Sequence, residues 1–293
     1  MIEFDEAAGL YLDWARGEYE RQASFTRIAV SFQCLRGFFR RSSVSMITAA
    51  ELESFKTWRR NAGIKPVTIR HDLHALSGFY KFAVRCRWAW KNPTKEIKIP
   101  SDAGSIRIRA LKQEEITRYF EAARGIPSAL HDVAWLMLST GMRPSEVMNL
   151  TGDDYNQLRQ SVMVRDGKTP AARRMLQLVP EACAIVERRT STLRANGFLF
   201  PGKRLGEALS KLQWAHNRAL KLCGLRFRLY DLRHTFATRM AERGMPLTTL
   251  AAILGHNGLR CVTRYVHPSQ TVMDEAMLRF QRVMPDEESA VKG

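Results

Sequence analysis

Long apolar runs are missing from this chain of 293 residues. No stretch approaches the ~18–20 apolar residues of a bilayer-spanning helix, so no membrane partner is expected. The first residues, MIEFDEAAGL, are acidic and lack the basic-then-apolar layout of a secretory leader. Cysteine is sparse and scattered: the five at 34, 86, 183, 223 and 261 are odd in number and form no CxxC. They read as buried thiols of a reducing cytoplasm, not as a disulfide framework. Internal repeats, heptads and low-complexity tracts are absent. So is a phosphate-binding loop: Gly167-Lys168-Thr169 has Val162 where a Walker A motif needs its first glycine. His71 and His74 share a helix face without a second ligand pair, and read as a solvated or DNA-facing surface. The carboxylate pairs at 114–115, 153–154 and 286–288 fall at a helix start, a loop and a tail. Without a third ligand they support a two-metal nuclease only weakly. No cofactor and no metal are expected.

Negative charge is also scarce. Lys and Arg number 46 against 29 Asp and Glu, for a net +17. The excess is +7 over residues 1–100 and +10 over residues 101–293, so both halves are basic. A polyphosphate partner is the first reading of such a field, and a basic surface kept for solubility is the second.

Ordinary globular composition and this length suggest two domains. Residues 1–92 read as a helical DNA-binding domain. Its helices span 4–18 and 25–39, a segment opened by the Thr48-x-x-Glu51 capping box and closed at Gly63, and one following Pro66. Residues 93–108, with two prolines and little periodicity, read as a linker, 109–285 as a second domain and 286–293 as a tail. Helices are expected there at 112–124, 128–140, 144–150, 181–195, 207–222, 230–243, 247–254 and 260–265. Val162–Val164 and Met175–Val179 flank a turn at Asp166-Gly167 and read as a hairpin; Phe198–Phe200 is a candidate short strand. The last helix, 272–280, carries Met273, Met277 and Phe280 on one stripe. The fold class is thus mainly α with a small antiparallel β-sheet.

Four pieces of the second half carry chemistry. In Thr140-Gly141-Met142-Arg143-Pro144-Ser145-Glu146, the glycine permits a sharp turn and the proline suits the first turn of a helix. Arg143 is then displayed at a helix junction with Glu146 near enough to hold it. A structural ion pair explains the same residues equally well. Lys168 sits at the hairpin turn, followed by Arg173 and Arg174. Then come Tyr230-Asp231-Leu232-Arg233-His234 and, after it, Leu254-Gly255-His256 and Thr263-Arg264-Tyr265-Val266-His267.

Together, TGMRPSEVMNL, DLRHTFATRM, LGH and TRYVH resemble, in order and spacing, the tyrosine recombinases, the phage-integrase and Xer-like family of site-specific DNA recombinases. Residues 1–90 resemble the family's core-binding domain and 105–285 its catalytic domain. With no arm-binding module before the first domain, a minimal Xer-like architecture is expected. The resemblance implies cutting and rejoining of DNA through a 3′-phosphotyrosyl intermediate, without ATP or metal. Tyr265 would be the nucleophile, Arg143 and Arg233 the clamp on the phosphate oxygens, His256 a further donor and Lys168 the acid for the leaving 5′ oxygen. Tyr230 stands where the family usually has histidine. With a reference pKa near 10 it is a poor base, so a hydrogen bond to the phosphate or a positioning role is expected. Deprotonation of Tyr265 then falls to His256 or water, with His234 packing or capping behind the site. This departure keeps open a weakened DNA-binding protein of the same fold; a type IB topoisomerase-like relaxing enzyme is the other alternative.

The partner implied is double-stranded DNA bearing specific sites. Arg70, His74, Ser77 and Lys81 form one candidate DNA stripe, Arg36, Arg40 and Arg41 a second, and Arg107 in the linker a third contact. The C-terminal helix resembles the segment by which family members dock on a neighbour, implying a tetramer on DNA. An accessory DNA-bending protein or partner recombinase, and a prokaryotic, nucleoid-associated cytoplasmic location, complete the expectation.

Overall fold

The computed structural model describes residues 1–19, 22–101, 108–165, 173–193, 197–204, 206–265, 274, 277 and 278. It divides into two compact units, Met1–Arg107 and Ile108–Gly293.

The first unit contains α1 (Phe4–Glu18), α2 (Gln22–Phe39), α3 (Ala49–Asn61) and α4 (Pro66–Arg85). The Thr48 cap forms as its sequence dictates: its backbone N–H donates to Glu51 Oε2 at 2.8 Å. The helices close on an aromatic core in which Phe4, Tyr11, Phe32, Phe39, Phe55, Phe79 and Tyr80 are fully buried. Rings of this size carry most of the apolar area a small bundle can remove from water. α3 and α4 are tied by Arg59, whose Nε and Nη2 donate to the buried carboxylate of Asp72 at 3.1 and 2.9 Å. The start of the stretch read as a linker packs within this unit. Pro93–Lys95 is a 3-10 turn, Ile97 lies against the aromatic core, and the buried Lys56 ammonium donates to the Lys98 carbonyl at 2.8 Å.

The second unit holds α5 (Gln113–Arg124), α6 (Leu130–Thr140), α7 (Pro144–Met148), α8 (Pro180–Ser191), α9 (Gln213–Cys223), α10 (Asp231–Glu242) and α11 (Leu247–Leu254). β1 (Tyr155–Asn156), β2 (Ser161–Val164) and β3 (Arg174–Gln177) form an antiparallel sheet in that order. The register sets Val162 opposite Leu176 and Met163 opposite Met175. Val162, Val164 and Leu176 are buried while Met175 is exposed, the alternation a one-sided sheet requires.

Several elements differ from the sequence reading. β1 is a two-residue strand, too short to leave a periodicity. Phe198–Phe200 is no strand: Phe198 makes an isolated bridge to Thr151, and the buried Leu199 and Phe200 add single backbone hydrogen bonds to Leu150 and Leu209. α9 starts six residues later than expected from 207, because the chain before it folds back in a tight loop: the Gly202 N–H donates to the Glu207 carbonyl and the Leu209 N–H to the Phe200 carbonyl, on either side of a bridge between Pro201 and Ala208. Residues 260–265 are two 3-10 turns, Leu259–Cys261 and Thr263–Tyr265, following Gly258 at φ +124°. Such short segments lack the length to propagate an α-helix. The cysteines are not uniformly buried: Cys183 is, whereas Cys86 and Cys261 are exposed. Among the described residues no helix is long and apolar enough to cross a membrane.

Candidate active site

The site is built where α6 ends. Gly141 takes φ +69°, and a Cβ there would stand 2.5 Å from the Phe236 ring and 2.9 Å from Leu254. Only glycine satisfies both constraints. The turn aims the Gly141 carbonyl at Arg233 Nη1, 2.7 Å away, and releases the chain into α7. There Pro144 occupies the first helical turn and Glu146 the third position. The Glu146 carboxylate accepts from the Arg143 backbone N–H at 2.9 Å and from Arg143 Nη1 at 2.5 Å.

Glu146 does more than hold Arg143. β3 delivers Arg174, whose Nη2 donates to Glu146 Oε2 at 2.8 Å and whose Nε donates to the Ile253 carbonyl at 2.5 Å. Arg233 Nη1 lies 3.8 Å from the same Oε2. One buried carboxylate therefore faces three guanidiniums, leaving a local excess of positive charge. Burial alone would push the Glu146 carboxyl up, but Arg174 and Arg143 outweigh it and hold the group below the usual carboxylate range.

Arg233, on α10, is fully buried. Its Nη2 donates to the Leu254 carbonyl at 2.7 Å and to His256 Nε2 at 3.0 Å. Burial, with the Arg143 and Arg174 charges, brings its pKa to about 10, so it remains a cation near neutrality. Its Nε has no hydrogen-bond partner among the described residues.

His256 has its two ring nitrogens set apart by Arg233. A guanidinium cannot accept, so Nε2 must be the acceptor and the imidazole proton sits on Nδ1. Burial and the charges of Arg233 and Arg143 lower its pKa to about 4, leaving the ring neutral. The donor available for a ligand is Nδ1–H, itself buried and without a partner among the described residues. With Nε2 engaged by Arg233 and Nδ1 protonated, His256 offers no lone pair to a phenol, contrary to the role of base left open for it.

Tyr265 stands at the end of its 3-10 turn, 4% exposed, against Ala237, Leu250, Leu254 and Val262. Its hydroxyl lies 2.9 Å from His234 Nδ1. Burial raises the phenol's pKa while the Arg233 charge opposes it, and the net shift is upward. The Tyr230 ring meets the His234 ring edge-on at 5.0 Å and lies 5.9 Å from the Arg233 guanidinium carbon. His234, read from the sequence as packing behind the site, thus contacts the Tyr265 hydroxyl. The spacing held a signal: Tyr230 caps the start of α10 and His234 follows four residues later, one turn on. Arg174 was noted only as company for Lys168, and the sheet brings it into the cluster.

The structure therefore gathers Arg143, Arg233, His256, Tyr230 and Tyr265, and adds Arg174, Glu146 and His234. Lys168, Arg107, Met273 and Phe280 lie outside the described residues; Met277 is 61% exposed. In the first unit Arg40, His74 and Lys81 are exposed. Arg36 and Arg70 are partly engaged: Arg36 Nε donates to Asp5 at 2.6 Å, and Arg70 Nη1 to the Pro100 carbonyl at 3.2 Å.

Residues 109–271, more than half of the chain, match the family model described as the phage integrase family. This chain belongs to the phage integrase family. The resemblance read from TGMRPSEVMNL, DLRHTFATRM, LGH and TRYVH is thereby borne out. Curated relatives include the tyrosine recombinase XerD of Pseudomonas putida, 28% identical over 255 residues, covering 82% of this chain and 84% of that protein. Tyrosine recombinase XerC of Bacillus subtilis is 27% identical over 238 residues, covering 75% and 76%. Among solved structures, the Tn1549 transposon integrase in complex with circular intermediate DNA superposes with a TM-score of 0.77 at 18% identity, covering 94% of this chain and 99% of the other. A lambda integrase fragment, seen as a dimer bound to a core site, gives 0.75 at 17%, covering 90% and 95%. These structural likenesses establish the fold expected of the phage integrase family: mainly helical, with a small antiparallel sheet.

Proposed function

We propose that this site-specific recombinase cuts and rejoins duplex DNA with Tyr265 as its nucleophile. The phenol oxygen attacks a backbone phosphorus, a P–O bond to tyrosine forms, and the bond to the 5′ oxygen breaks. A 5′ hydroxyl from another strand reverses the step, so one phosphodiester is exchanged for another. The observation that carries this reading is the cluster of Arg143, Arg174 and Arg233 around Glu146, beside two buried N–H donors, Arg233 Nε and His256 Nδ1, that lack acceptors among the described residues. Buried donors in a positive pocket suit an anion. Cations fixed before the reaction stabilise charge developing on the non-bridging oxygens without reorganising. Arg143, 30% exposed, and the buried Arg233 are the residues we assign to that clamp.

Lys168 is assigned the protonation of the leaving 5′ oxygen. Tyr230 is assigned a positioning role, its ring packed on His234. Arg36, Arg40, Arg70, His74, Lys81 and Arg107 are assigned to the DNA surface, where net charge favours binding. Assembly as a tetramer on DNA through the C-terminal segment carrying Met273, Met277 and Phe280, and action in the cytoplasm of a prokaryotic cell, belong to the same reading.

The test is selection of duplexes bound by the full chain from a random pool. The recovered duplex is then nicked near each candidate position, and denaturing gels are searched for a protein–DNA adduct. Wild type is expected to form the adduct and Tyr265→Phe to bind the duplex without forming it. An adduct that persists in Tyr265→Phe overturns the assignment.

A further inference from the structure

Among the residues gathered here, His234 is the one for which no role follows from the phosphate clamp. Its Nδ1 lies 2.9 Å from the Tyr265 hydroxyl, within the range of a direct hydrogen bond. The other candidate bases are occupied or unsuited. His256 Nε2 accepts from Arg233, leaving its proton on Nδ1. Position 230, which caps α10 one turn before 234, holds a phenol instead of an imidazole. A phenol that must lose a proton, with a ring nitrogen of a neutral imidazole 2.9 Å from its oxygen, has the usual spacing of a nucleophile and its base.

We propose that His234 is the catalytic base of this recombinase, taking the Tyr265 proton as the phenol oxygen attacks phosphorus. The inference rests on the assignment of Tyr265 as nucleophile. In the forward step the Tyr265 O–H bond breaks, its proton moves to His234 Nδ1, the tyrosine–phosphorus bond forms, and the 5′ oxygen departs with a proton from the general acid. In the reverse step the imidazolium returns its proton to the phenol oxygen as that oxygen leaves phosphorus. No oxidant, reductant or metal enters the balance.

The surroundings fit this role. His234 is partly buried, on α10, with Asp231 and Arg233 on its own helix, Arg228 before it, and Tyr265 and Arg264 on the facing turn. Burial, with the charges of Arg233, Arg264 and Arg228, lowers its pKa below the ordinary 6.5 against the pull of Asp231. At neutral pH the ring is therefore uncharged, and its Nε2–H tautomer accepts the proton at Nδ1. Developing negative charge on the phosphate would favour the imidazolium once it forms. Tyr230, packed edge-on, orients the ring that does the work its own position usually does.

The test uses the full chain and the nicked duplex obtained as above, with the rate of adduct formation followed from pH 5 to 9. Wild type should lose rate as pH falls through the His234 pKa, below 6.5, and be level above it. His234→Asn places an amide oxygen close to the position of Nδ1, keeping an acceptor for the phenol without a group that can carry the proton. Its rate at pH 7 should drop about 100-fold, the low-pH inflection should vanish, and the rate should rise with hydroxide across the range. Duplex binding should remain within twofold. A wild-type rate in His234→Asn would reduce the contact to positioning and overturn the proposal. So would a slowed enzyme that keeps the inflection. If His234→Asn fails to bind duplex, His234→Ala with added imidazole gives the same decision: recovery supports the base, and no recovery overturns it. If wild type itself forms no adduct, the assignment of Tyr265 fails first, a result distinct from every outcome in the variants.

Discussion

Replacing Glu146 by glutamine removes one negative charge and almost no volume. Its carboxylate is 3% exposed and faces Arg143 at 2.5 Å, Arg174 at 2.8 Å and Arg233 at 3.8 Å. The amide retains one acceptor oxygen, but its NH2 would point a donor at a guanidinium. Three cations are then left with no buried counter-charge. Removing one partner of a buried pair costs about 3–5 kcal/mol, and since Arg143 keeps part of its solvation the lower end, about 3 kcal/mol, applies. For a unit of this size about 1 kcal/mol moves Tm by roughly 2–4 °C, so Glu146→Gln should melt about 6–12 °C below wild type. The sign with pH follows from the lowered carboxyl pKa. A group depressed in the folded state stabilises above its unfolded value, 4.5, and that contribution is lost as pH falls through the folded value. The gap between wild type and variant should therefore be full at pH 7 and shrink below pH 4.5. Thermal melts followed by circular dichroism at pH 7, 5 and 3.5 read both effects. An anion that fills the clamp should narrow the gap as well: sulfate should raise the variant's Tm more than the wild type's, because it supplies the missing charge. A drop under 2 °C at pH 7, or a gap independent of pH, would show that Glu146 does not balance the cluster.

Arg143→Lys keeps the charge but loses the planar fork; adduct formation should slow about 100-fold with a Tm change under about 3 °C, read from single-turnover gels and melts. Gly141→Ala must hold φ +69° and press a methyl into Phe236 and Leu254. Strain plus overpacking should cost about 2–4 kcal/mol in urea unfolding. His256→Gln should flatten the loss of stability between pH 6.5 and about 4, because the wild-type ring, lowered to about 4 in the folded state, resists a proton that the unfolded chain takes up. Asp72→Asn should destabilise the first unit by about 3 kcal/mol, since Arg59 loses a counter-ion that is 3% exposed; proteolysis should then release the second unit intact.

Local rules made the helices legible. The Thr48 box, Pro66, Gly125 and Pro144 each mark a boundary, and apolar residues at helical spacing picked out the buried face of α4. What local rules do not contain is partnership across the fold. Arg174 follows a hairpin whose turn drew attention to Lys168, and only the register, Val164 opposite Arg174, directs that guanidinium back to Glu146 on α7. The same holds for the order of Phe198–Phe200, where burial without a neighbouring strand imitates the composition of a strand.

The candidate site shows the limit of reading residues by motif position. The motifs located Arg143, Arg233, His256 and Tyr265 because each is fixed by a turn or helix start that the sequence displays. They did not say which nitrogen of His256 donates and which accepts. The tautomer of His256 is set by Arg233, 23 positions away, and no pattern within LGH carries that information. Tyr230 looked like a loss because its position was treated as the unit of function. Helical geometry makes the face the unit instead. A histidine at 230, capping α10, and one at 234 would lie one turn apart, so exchanging one for the other asks the Tyr265 turn to shift along the helix by a full turn. On that view, placing histidine at 230 in a His234→Asn background should restore adduct formation only if the phenol can move by about one helical turn, ~5 Å. The 3-10 turn that carries Tyr265 is packed against Leu250, Leu254 and Val262, which resists such a move. The double variant should therefore stay slow, and recovery of the wild-type rate would place the freedom to relocate in the tyrosine rather than in the base.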